Sequence, residues 1–355
     1  MSANAILVIG NPVSTTANPR ESCGGVGGLL SPSLLSQEVG GESVLERTIG
    51  RLQNAGIRDV SLVADGNPVL QSGALLRKYR NLKVIEGRAD RWFAQYNRHR
   101  ARSAETTLVL KLRGYLEFDA AEFLAFHREN HSTVTRARHD TGPLDLWAVS
   151  IPADGQPELN LSWLMHSAHS PAYHVRGYAK DFNGPRDLRQ LAVDLLSGRC
   201  AARPLGREVR PGVWLASGAR LHSRARVVAP AYIGAGTAVG AYAVITRCSN
   251  VERHCDIGPG TYIAGSSIFS DTRIGRGLFV SQSMVNGNGL WHLRRNTLVK
   301  VADGRLLGRT VAALEVEGPM PEHPAQAQPR IIRIKPQPRV AVAESCSMGL
   351  LEDEG

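Results

Sequence analysis

The chain has 355 residues, of which 43% are hydrophobic and 21% are charged, and its formal net charge is +10. This length is enough for two domains, and the composition is that of a folded protein. No apolar run reaches the roughly 18 residues of a membrane span. Residues 1–10 lack the basic segment of a secretory signal, and the five cysteines include no Cys-x-x-Cys pair. We therefore expect no disulfide framework. We expect a cytoplasmic protein.

The positive charge comes from 36 arginines and only 6 lysines. A basic balance is compatible with nucleic acid, anionic lipid or a phosphorylated ligand. The chain carries no nucleic-acid-binding signature, so a solvated basic face or a small phosphorylated ligand is favoured. Trp92, Phe93 and Tyr96 lie among arginines and could stack on bases, but a helix that buries these rings is the preferred interpretation.

The first half alternates between predicted strands and helices. Strands are expected at residues 5–9, 60–63, 82–85 and 106–112, and helices at 43–54, with Ser43 as N-cap, and 120–131. This alternation predicts an α/β domain over residues 1–200, with a Rossmann-like parallel sheet. A ligand crevice is expected at the carboxyl edge of that sheet.

Residues 209–287 repeat with a period of six. The phase slips by one residue after Ile263, and a small side chain follows four residues after each of the first nine aliphatic positions. The aliphatic positions are Leu215, Leu221, Val227, Ile233, Val239, Ile245, Val251, Ile257, Ile263, Ile268, Ile274 and Val280. A six-residue period predicts a parallel β-helix, with three hexads in each triangular coil. The pattern resembles the left-handed β-helix of hexapeptide-repeat proteins. The left hand is implied by that resemblance, since the crossover rule predicts the opposite.

The remaining residues divide into a cap and a tail. Strands are expected at 298–301 and 306–314, joined at Asp303-Gly304, and a β-rich segment 288–318 is expected to cap the open end of the coil. Residues 319–355 hold six prolines by Pro338 and end in an acidic cluster. This composition predicts a disordered tail.

Two segments resemble sugar-nucleotide pyrophosphorylases of the mannose-1-phosphate guanylyltransferase kind. Residues 40–49 read Gly-Gly-Glu-Ser-Val-Leu-Glu-Arg-Thr-Ile, like the early helix of that family. Residues 177–188 read Gly-Tyr-Ala-Lys-Asp-Phe-Asn-Gly-Pro-Arg-Asp-Leu, like its "GYW-D-IGTP-DL" segment. The family commonly carries a left-handed β-helix directly afterwards. The resemblance implies a GT-A-like nucleotidyltransferase domain plus a left-handed β-helix, in a sugar-nucleotide or polysaccharide pathway.

The resemblance also implies a set of site positions. The first strand would end at the phosphate loop, an "NGD" turn would follow the fourth strand, and a second metal carboxylate would lie in the later segment. The substrate-binding positions implied in this way are Gly10, Asn11, Gly114, Tyr115, Gly177 and Asp181. Asp181 is also the implied ligand of Mg²⁺.

The signature groups of that chemistry are partly replaced. The phosphate loop lacks its second glycine and its arginine, no lysine precedes Lys78, and Tyr115 stands where the first metal aspartate is expected. One carboxylate, Asp181, would hold Mg²⁺ weakly. The sequence therefore predicts a protein that binds a nucleotide or nucleotide sugar with weak or no nucleotidyl transfer. It would act as a homo-oligomer or as the partner of an active pyrophosphorylase, and whether it is an enzyme is left open.

Two enzymatic alternatives remain. An active nucleotidyltransferase could use Asp181 with Glu117 or Asp119 in a rearranged site. A hexapeptide-repeat acyltransferase could use His222 or His254 as a general base, although both are expected to face outward.

Two other motifs are weaker candidates. The glycine-rich residues 23–28 could form a relocated phosphate loop, but a flexible loop is favoured because no P-loop ending is present. The histidines His166, His169 and His174 match no zinc spacing.

Overall fold

A computed structural model of the chain describes residues 3–10, 34–65, 78–79, 81–86, 106–150, 161–166 and 171–310. These ranges form a mixed α/β structure followed by a strand-rich region. Across them, none of the helices combines the length and apolarity that crossing a membrane requires. We call residues 3–196 the α/β half and residues 207–309 the coil.

The α/β half is built on a seven-stranded sheet. Its strands and two small ribbons are β1 (Ala3–Gly10), β2 (Glu38–Val39), β3 (Glu42–Ser43), β4 (Asp59–Asp65), β5 (Leu82–Glu86), β6 (Thr106–Leu112), β7 (Gly114–Leu116), β8 (Val134–His139), β9 (Gly142–Val149), β10 (Ala172–His174) and β11 (Ala179–Asp181). The helices are α1 (Val44–Asn54), α2 (Ala120–Glu129), α3 (Leu161–His166) and α4 (Pro185–Leu196), with a 3₁₀ turn at Leu34–Ser36.

The sheet is mixed, although the alternating pattern predicted a parallel one. Its order is β10-β8-β9-β6-β1-β4-β5, and the four strands β6, β1, β4 and β5 are parallel. Strand β9 runs antiparallel to both β6 and β8. Only a two-residue turn at Asp140 and Thr141 joins β8 to β9. Such a short connection permits antiparallel pairing alone, since a parallel crossover needs a dozen residues or more.

Helix α1 begins where the sequence predicted. The Ser43 hydroxyl accepts a hydrogen bond from the Glu46 backbone N–H, and the Glu46 carboxylate accepts one from the Ser43 N–H. This capping box satisfies two backbone donors that a helix start otherwise leaves unpaired. Leu45, Ile49 and Leu52 are buried against the sheet, so the apolar stripe and the cap define the same helix.

The coil contains seventeen short strands in three sheets. They are β12 (Arg207–Arg210), β13 (Val213–Leu215), β14 (Arg220–Leu221), β15 (Arg226–Val227), β16 (Ala231–Ile233), β17 (Ala238–Val239), β18 (Val244–Thr246), β19 (Ser249–Val251), β20 (Asp256–Ile257), β21 (Tyr262–Ala264), β22 (Ser267–Ile268), β23 (Thr272–Ile274), β24 (Phe279–Ser281), β25 (Ser283–Asn286), β26 (Gly289–His292), β27 (Thr297–Lys300) and β28 (Leu307–Arg309). The sheets have the orders β12-β13-β16-β19-β22-β25-β26-β27, β14-β17-β20-β23-β28 and β15-β18-β21-β24.

Successive coils pair in parallel and in register. Ile233 lies opposite Val251, eighteen residues later, and Val251 lies opposite Ile268, seventeen residues later. The second interval is the one-residue slip seen in the sequence. The aliphatic positions from Val227 to Val280 are all buried in one core cluster, and Leu215 and Leu221 pack against it. The six-residue repeat therefore predicted the core of the coil correctly.

Antiparallel strands end the coil. Strand β28 pairs antiparallel with β23, and β26 pairs antiparallel with β25 and then with β27. Strands therefore form on both sides of Asp303-Gly304, but each pairs with an earlier strand, and residues 311–314 of the second expected strand lie outside the described residues. Pairing of this kind covers hydrogen-bonding edges that a coil would otherwise expose.

The two halves share a buried polar contact. On the coil side it lies on the eight-stranded sheet, where Glu252 accepts hydrogen bonds from the backbone of Gly40 and Gly41. Arg189 of α4 is buried and donates to the side chains of Asn250 and Ser267. Desolvation lowers the pKa of Arg189 to about 10. Buried polar groups that find partners in this way give an interface a defined geometry.

Candidate functional site

A cavity of about 340 Å³ opens beside the carboxyl ends of the central strands. It lies among the end of β6, strand β7, the start of β9 and strand β11. Ile9 of β1 pairs with Leu112 of β6, so Gly10 reaches the same edge of the sheet. We call this space the edge cavity and define it by Lys111, Arg113, Asp145, Lys180 and Asp181. Ligands of open α/β sheets bind at this edge.

Two of the predicted site glycines allow a close approach of backbones. Gly114 of β7 pairs with Asp181 of β11, and a Cβ atom at Gly114 would overlap the carbonyl oxygen of Lys180. A Cβ atom at Gly177 would likewise overlap the carbonyl oxygen of Glu117. Glycine is needed at both positions because two backbone segments of the chain are in contact there. The ribbon that results holds Asp181 at the rim of the edge cavity, where its side chain is 60% exposed.

Ion pairs cross the edge cavity. Arg113 lies 3.7 Å from the Asp145 carboxylate and 3.9 Å from that of Asp181. Lys180 Nζ lies 3.2 Å from Asp187, whose carboxylate also caps the start of α4. Lys111 lines the same space, and the residues described in the structure offer it no carboxylate at ion-pair distance. The cavity therefore presents a cation that is free to meet an anionic ligand.

Tyr115 occupies the position where the resemblance implies a metal aspartate. Its ring is buried, and its hydroxyl donates to Glu117 Oε1 at 2.8 Å and accepts from Arg51 Nη2 at 3.0 Å. Desolvation by burial raises the pKa of Tyr115 to about 12. A neutral phenol bound in this way is a structural group, and it offers no carboxylate to a cation.

The carboxylates suggested as replacements are engaged elsewhere. Glu117 is buried and accepts hydrogen bonds from the backbone N–H groups of Ala201 and Ala202, both at 2.9 Å. Asp119 caps helix α2 by accepting from the N–H groups of Ala121 and Glu122. Neither residue lines the edge cavity. Among the described residues, neither carboxylate therefore joins Asp181 at the edge cavity, and turnover with either one stays a prediction.

The donor set of the edge cavity does not fit Mg²⁺. In the part of the chain that the structure describes, no three acidic, histidine or cysteine side chains are grouped as a metal site requires. Each of the cavity carboxylates faces a cation, Asp145 and Asp181 facing Arg113 and Asp187 facing Lys180. Mg²⁺ needs free carboxylates or phosphates, and these carboxylates are already paired.

Several predicted residues lie outside the described residues. These are Asn11, the glycine-rich residues 23–28, the aromatic and arginine segment 88–102, His169 and the tail 319–355. His174 lies on β10, and its Nε2 contacts the Asp140 carboxylate at 3.0 Å on the surface.

The coil histidines face solvent, as predicted. His222 is exposed, and its Nδ1 accepts from the backbone N–H of Arg224. The His254 side chain is 54% exposed, and its Nδ1 lies 3.3 Å from Asp271. Acyl transfer by either histidine stays a prediction.

Sequence reasoning missed the cations of the edge cavity. Arg113 directly precedes Gly114, and Lys180 directly precedes Asp181. Each of these cations is therefore the sequence neighbour of a predicted site residue. Lys111 was also recognisable, because it is the one charged residue of an otherwise uncharged strand. Comparison with protein-family models and with curated proteins gave no match for the chain. A function for the chain is therefore inferred from the geometry of its own residues.

Proposed function

We propose that this protein binds a nucleotide or nucleotide sugar in the edge cavity, with little or no nucleotidyl transfer. The fold we propose is a GT-A-like nucleotidyltransferase domain followed by a left-handed β-helix, as in sugar-nucleotide pyrophosphorylases. The observation that carries this proposal is the placement of Lys111 and Arg113 at the carboxyl edge of parallel strands. Cations at that edge are suited to the phosphate groups of a nucleotide.

Loss of turnover is expected from the groups that the chemistry would need. Transfer of a nucleotidyl group requires neutralisation of the charge that develops on the triphosphate, and Mg²⁺ normally supplies much of it. Here Arg113 lies beside Asp181, and Tyr115 is a buried phenol. Arg113 and Lys111 can hold a phosphate group, but without Mg²⁺ the neutralisation of the reacting triphosphate would fall to these cations alone.

In this role the protein would work as part of an oligomer. The protein would bind another copy of itself or an active pyrophosphorylase. The coil has three sheet faces at which such contacts could form. Occupancy of the edge cavity would then be the signal that the partner reads.

Isothermal titration calorimetry tests the binding step. The full chain is titrated with GDP-mannose, UDP-glucose and ADP-glucose, with Mg²⁺ and with a chelator. We expect at least one to bind in both conditions, and Lys111→Gln to weaken it by about tenfold through loss of a charged hydrogen bond. Lys83→Gln is the matched control, because Lys83 is an exposed lysine on β5 of the same sheet. Equal affinities of the two variants, or no binding of any of the three, would reject the site.

A second assay separates binding from catalysis. Pyrophosphate release is followed with nucleoside triphosphates and sugar 1-phosphates, in wild type and in Asp181→Ala. We expect no release above background in either protein. Release by the wild type that Asp181→Ala abolishes would instead establish the enzymatic alternative.

A further inference from the structure

An exposed pair of aromatic rings stands on one face of the coil. Tyr262 of β21 and Phe279 of β24 are partners in register, with ring centroids 5.1 Å apart and ring planes 2° from parallel. Strand β24 is the last of its four-stranded sheet. The Phe279 ring is therefore stacked on one face by Tyr262, and no strand of that sheet lies beyond it. Phe279 is 72% exposed, which is costly for so large an apolar side chain.

The rings border a second space, of about 470 Å³. We call it the coil concavity and define it by Arg247, Tyr262, Phe279, Gln282 and Arg294. Its volume is in the range of sites for small organic ligands. It shares no residue with the edge cavity.

Backbone pairing brings the two arginines to the same corner of the coil. The Gly265 N–H donates to Thr246 O, directly before Arg247, and the Gln282 N–H donates to Ala264 O. The Leu293 N–H then donates to Gln282 O at 2.8 Å, directly before Arg294. Successive rungs therefore place Arg247, Gln282 and Arg294 along one edge, beside the aromatic pair.

The charge of the coil concavity is positive. Arg247 and Arg294 are both exposed, and neither guanidinium forms an ion pair or hydrogen bond with any residue that the structure describes. The described lining holds no carboxylate. Ser281 and Gln282 add neutral polar groups. The planar guanidinium groups of Arg247 and Arg294 could each donate paired hydrogen bonds to the phosphate oxygens of an anionic ligand.

We infer that the coil concavity is a nucleotide-binding site, separate from the edge cavity. The base would stack on the open face of Phe279 and extend the two-ring ladder, and the phosphates would meet Arg247 and Arg294. A planar ring fits because the ladder already shows parallel stacking at ring-to-ring distance. Neutral sugars are disfavoured, because a site lined by two arginines and no described carboxylate is built for negative charge.

The test uses ADP, adenosine and ribose 5-phosphate as probes in calorimetric titrations of the full chain. Each variant is made in the wild type and in the Lys111→Gln background, which weakens only the edge cavity, so an effect that is equal in both backgrounds belongs to the coil concavity. Phe279→Ala is compared with Val299→Ala, another exposed apolar residue of the coil. Arg247→Gln and Arg294→Gln are compared with Arg276→Gln, an exposed arginine that lies outside the concavity.

We expect Phe279→Ala to weaken ADP and adenosine by about tenfold and ribose 5-phosphate much less, since only the first two can stack. Each arginine variant should weaken ADP and ribose 5-phosphate and should reduce the salt dependence of binding. The control variants should bind as the parent does. Equal ADP affinity in Phe279→Ala and Val299→Ala would overturn the inference. So would a change of sedimentation mass in Phe279→Ala without nucleotide, because the rings would then join two copies of the chain.

Discussion

The carboxylate of Glu252 accepts a hydrogen bond from the backbone amide of Gly40 at 2.9 Å, although the two residues are 212 positions apart. Its other oxygen accepts from Gly41, also at 2.9 Å, and Asn250 donates to the carboxylate at 2.7 Å. Glu252 is fully buried, and desolvation raises its pKa. One side chain of the coil therefore holds the turn that leads into α1.

Removal of this carboxylate should loosen the two halves. Glu252→Ala leaves the buried N–H of Gly40, the half-buried N–H of Gly41 and the Asn250 amide without their acceptor, so we expect a loss of about 2–4 kcal/mol in the free energy of unfolding. Urea denaturation followed by far-UV circular dichroism measures it. Glu129→Gln, at an exposed glutamate, should change stability by less than about 0.5 kcal/mol. Equal midpoints for the two variants would contradict the role of Glu252.

Glu38 makes the same interface sensitive to pH. Desolvation raises its pKa to about 7, even though Arg253 lies 2.7 Å away. The folded chain thus holds the Glu38 proton more tightly than the unfolded chain does. The resulting stability is present below pH 4.5, the ordinary value, and is lost as the pH rises through about 7.

Glu38→Gln should therefore flatten the pH dependence. Between pH 5 and 8 we expect the wild type to lose up to about 3 kcal/mol of stability relative to Glu38→Gln, from the size of the shift. Urea midpoints of both proteins across that window give the difference. Parallel curves would show that Glu38 is ionised throughout the range.

Tyr115→Asp introduces the carboxylate that the resemblance implies at this position and should not produce catalysis. The change removes a buried ring and places a second carboxylate beside Glu117, so we expect a loss of roughly 3–5 kcal/mol. Tyr115→Phe removes only the hydroxyl contacts and should cost about 1 kcal/mol. Thermal unfolding and pyrophosphate release are measured on both variants. A stable Tyr115→Asp protein that releases pyrophosphate would show that this tyrosine blocks a working site.

Gly114→Ala should separate β7 from β11. The added Cβ would overlap the Lys180 carbonyl, so the ribbon that positions Asp181 must open. We expect a loss of more than about 2 kcal/mol, together with weaker ligand binding at the edge cavity. Gly304→Ala is the matched control, since its Cβ would have no neighbour within 4 Å. Unchanged binding in Gly114→Ala would separate the ribbon from the site.

The coil was the most predictable part of the fold. Its six-residue repeat is a local pattern, and each aliphatic position, such as Ile257, meets the same environment one coil later. The start of α1 was equally readable, because Ser43 and Glu46 cap it from three residues apart. The antiparallel direction of β9 was not predictable from the alternation of strands and helices. It depends on the two-residue turn at Asp140 and Thr141, which that alternation does not indicate.

The sequence named two residues that line the edge cavity but not their chemical setting. Gly114 and Asp181 pair with each other there. Their chemical setting depends on Arg113, which contacts both Asp145 and Asp181. These ion pairs join Arg113 to residues of two separate strands, so they depend on how the strands pack together, and no local period encodes that packing.

By itself the sequence determined the local structure: the hexad core of the coil, the capped helix and four strands of the α/β half. Only the tertiary structure decided the function of individual polar groups. In the sequence, Glu117 was a candidate metal ligand. In the structure its carboxylate accepts hydrogen bonds from the backbone amides of Ala201 and Ala202, more than eighty residues away. The sequence pattern does not distinguish Glu252 from other coil residues. Its hydrogen bond with Gly40 is visible only in the tertiary structure. A buried carboxylate takes whichever donors the fold brings to it, because leaving it unpaired costs more than most single contacts contribute.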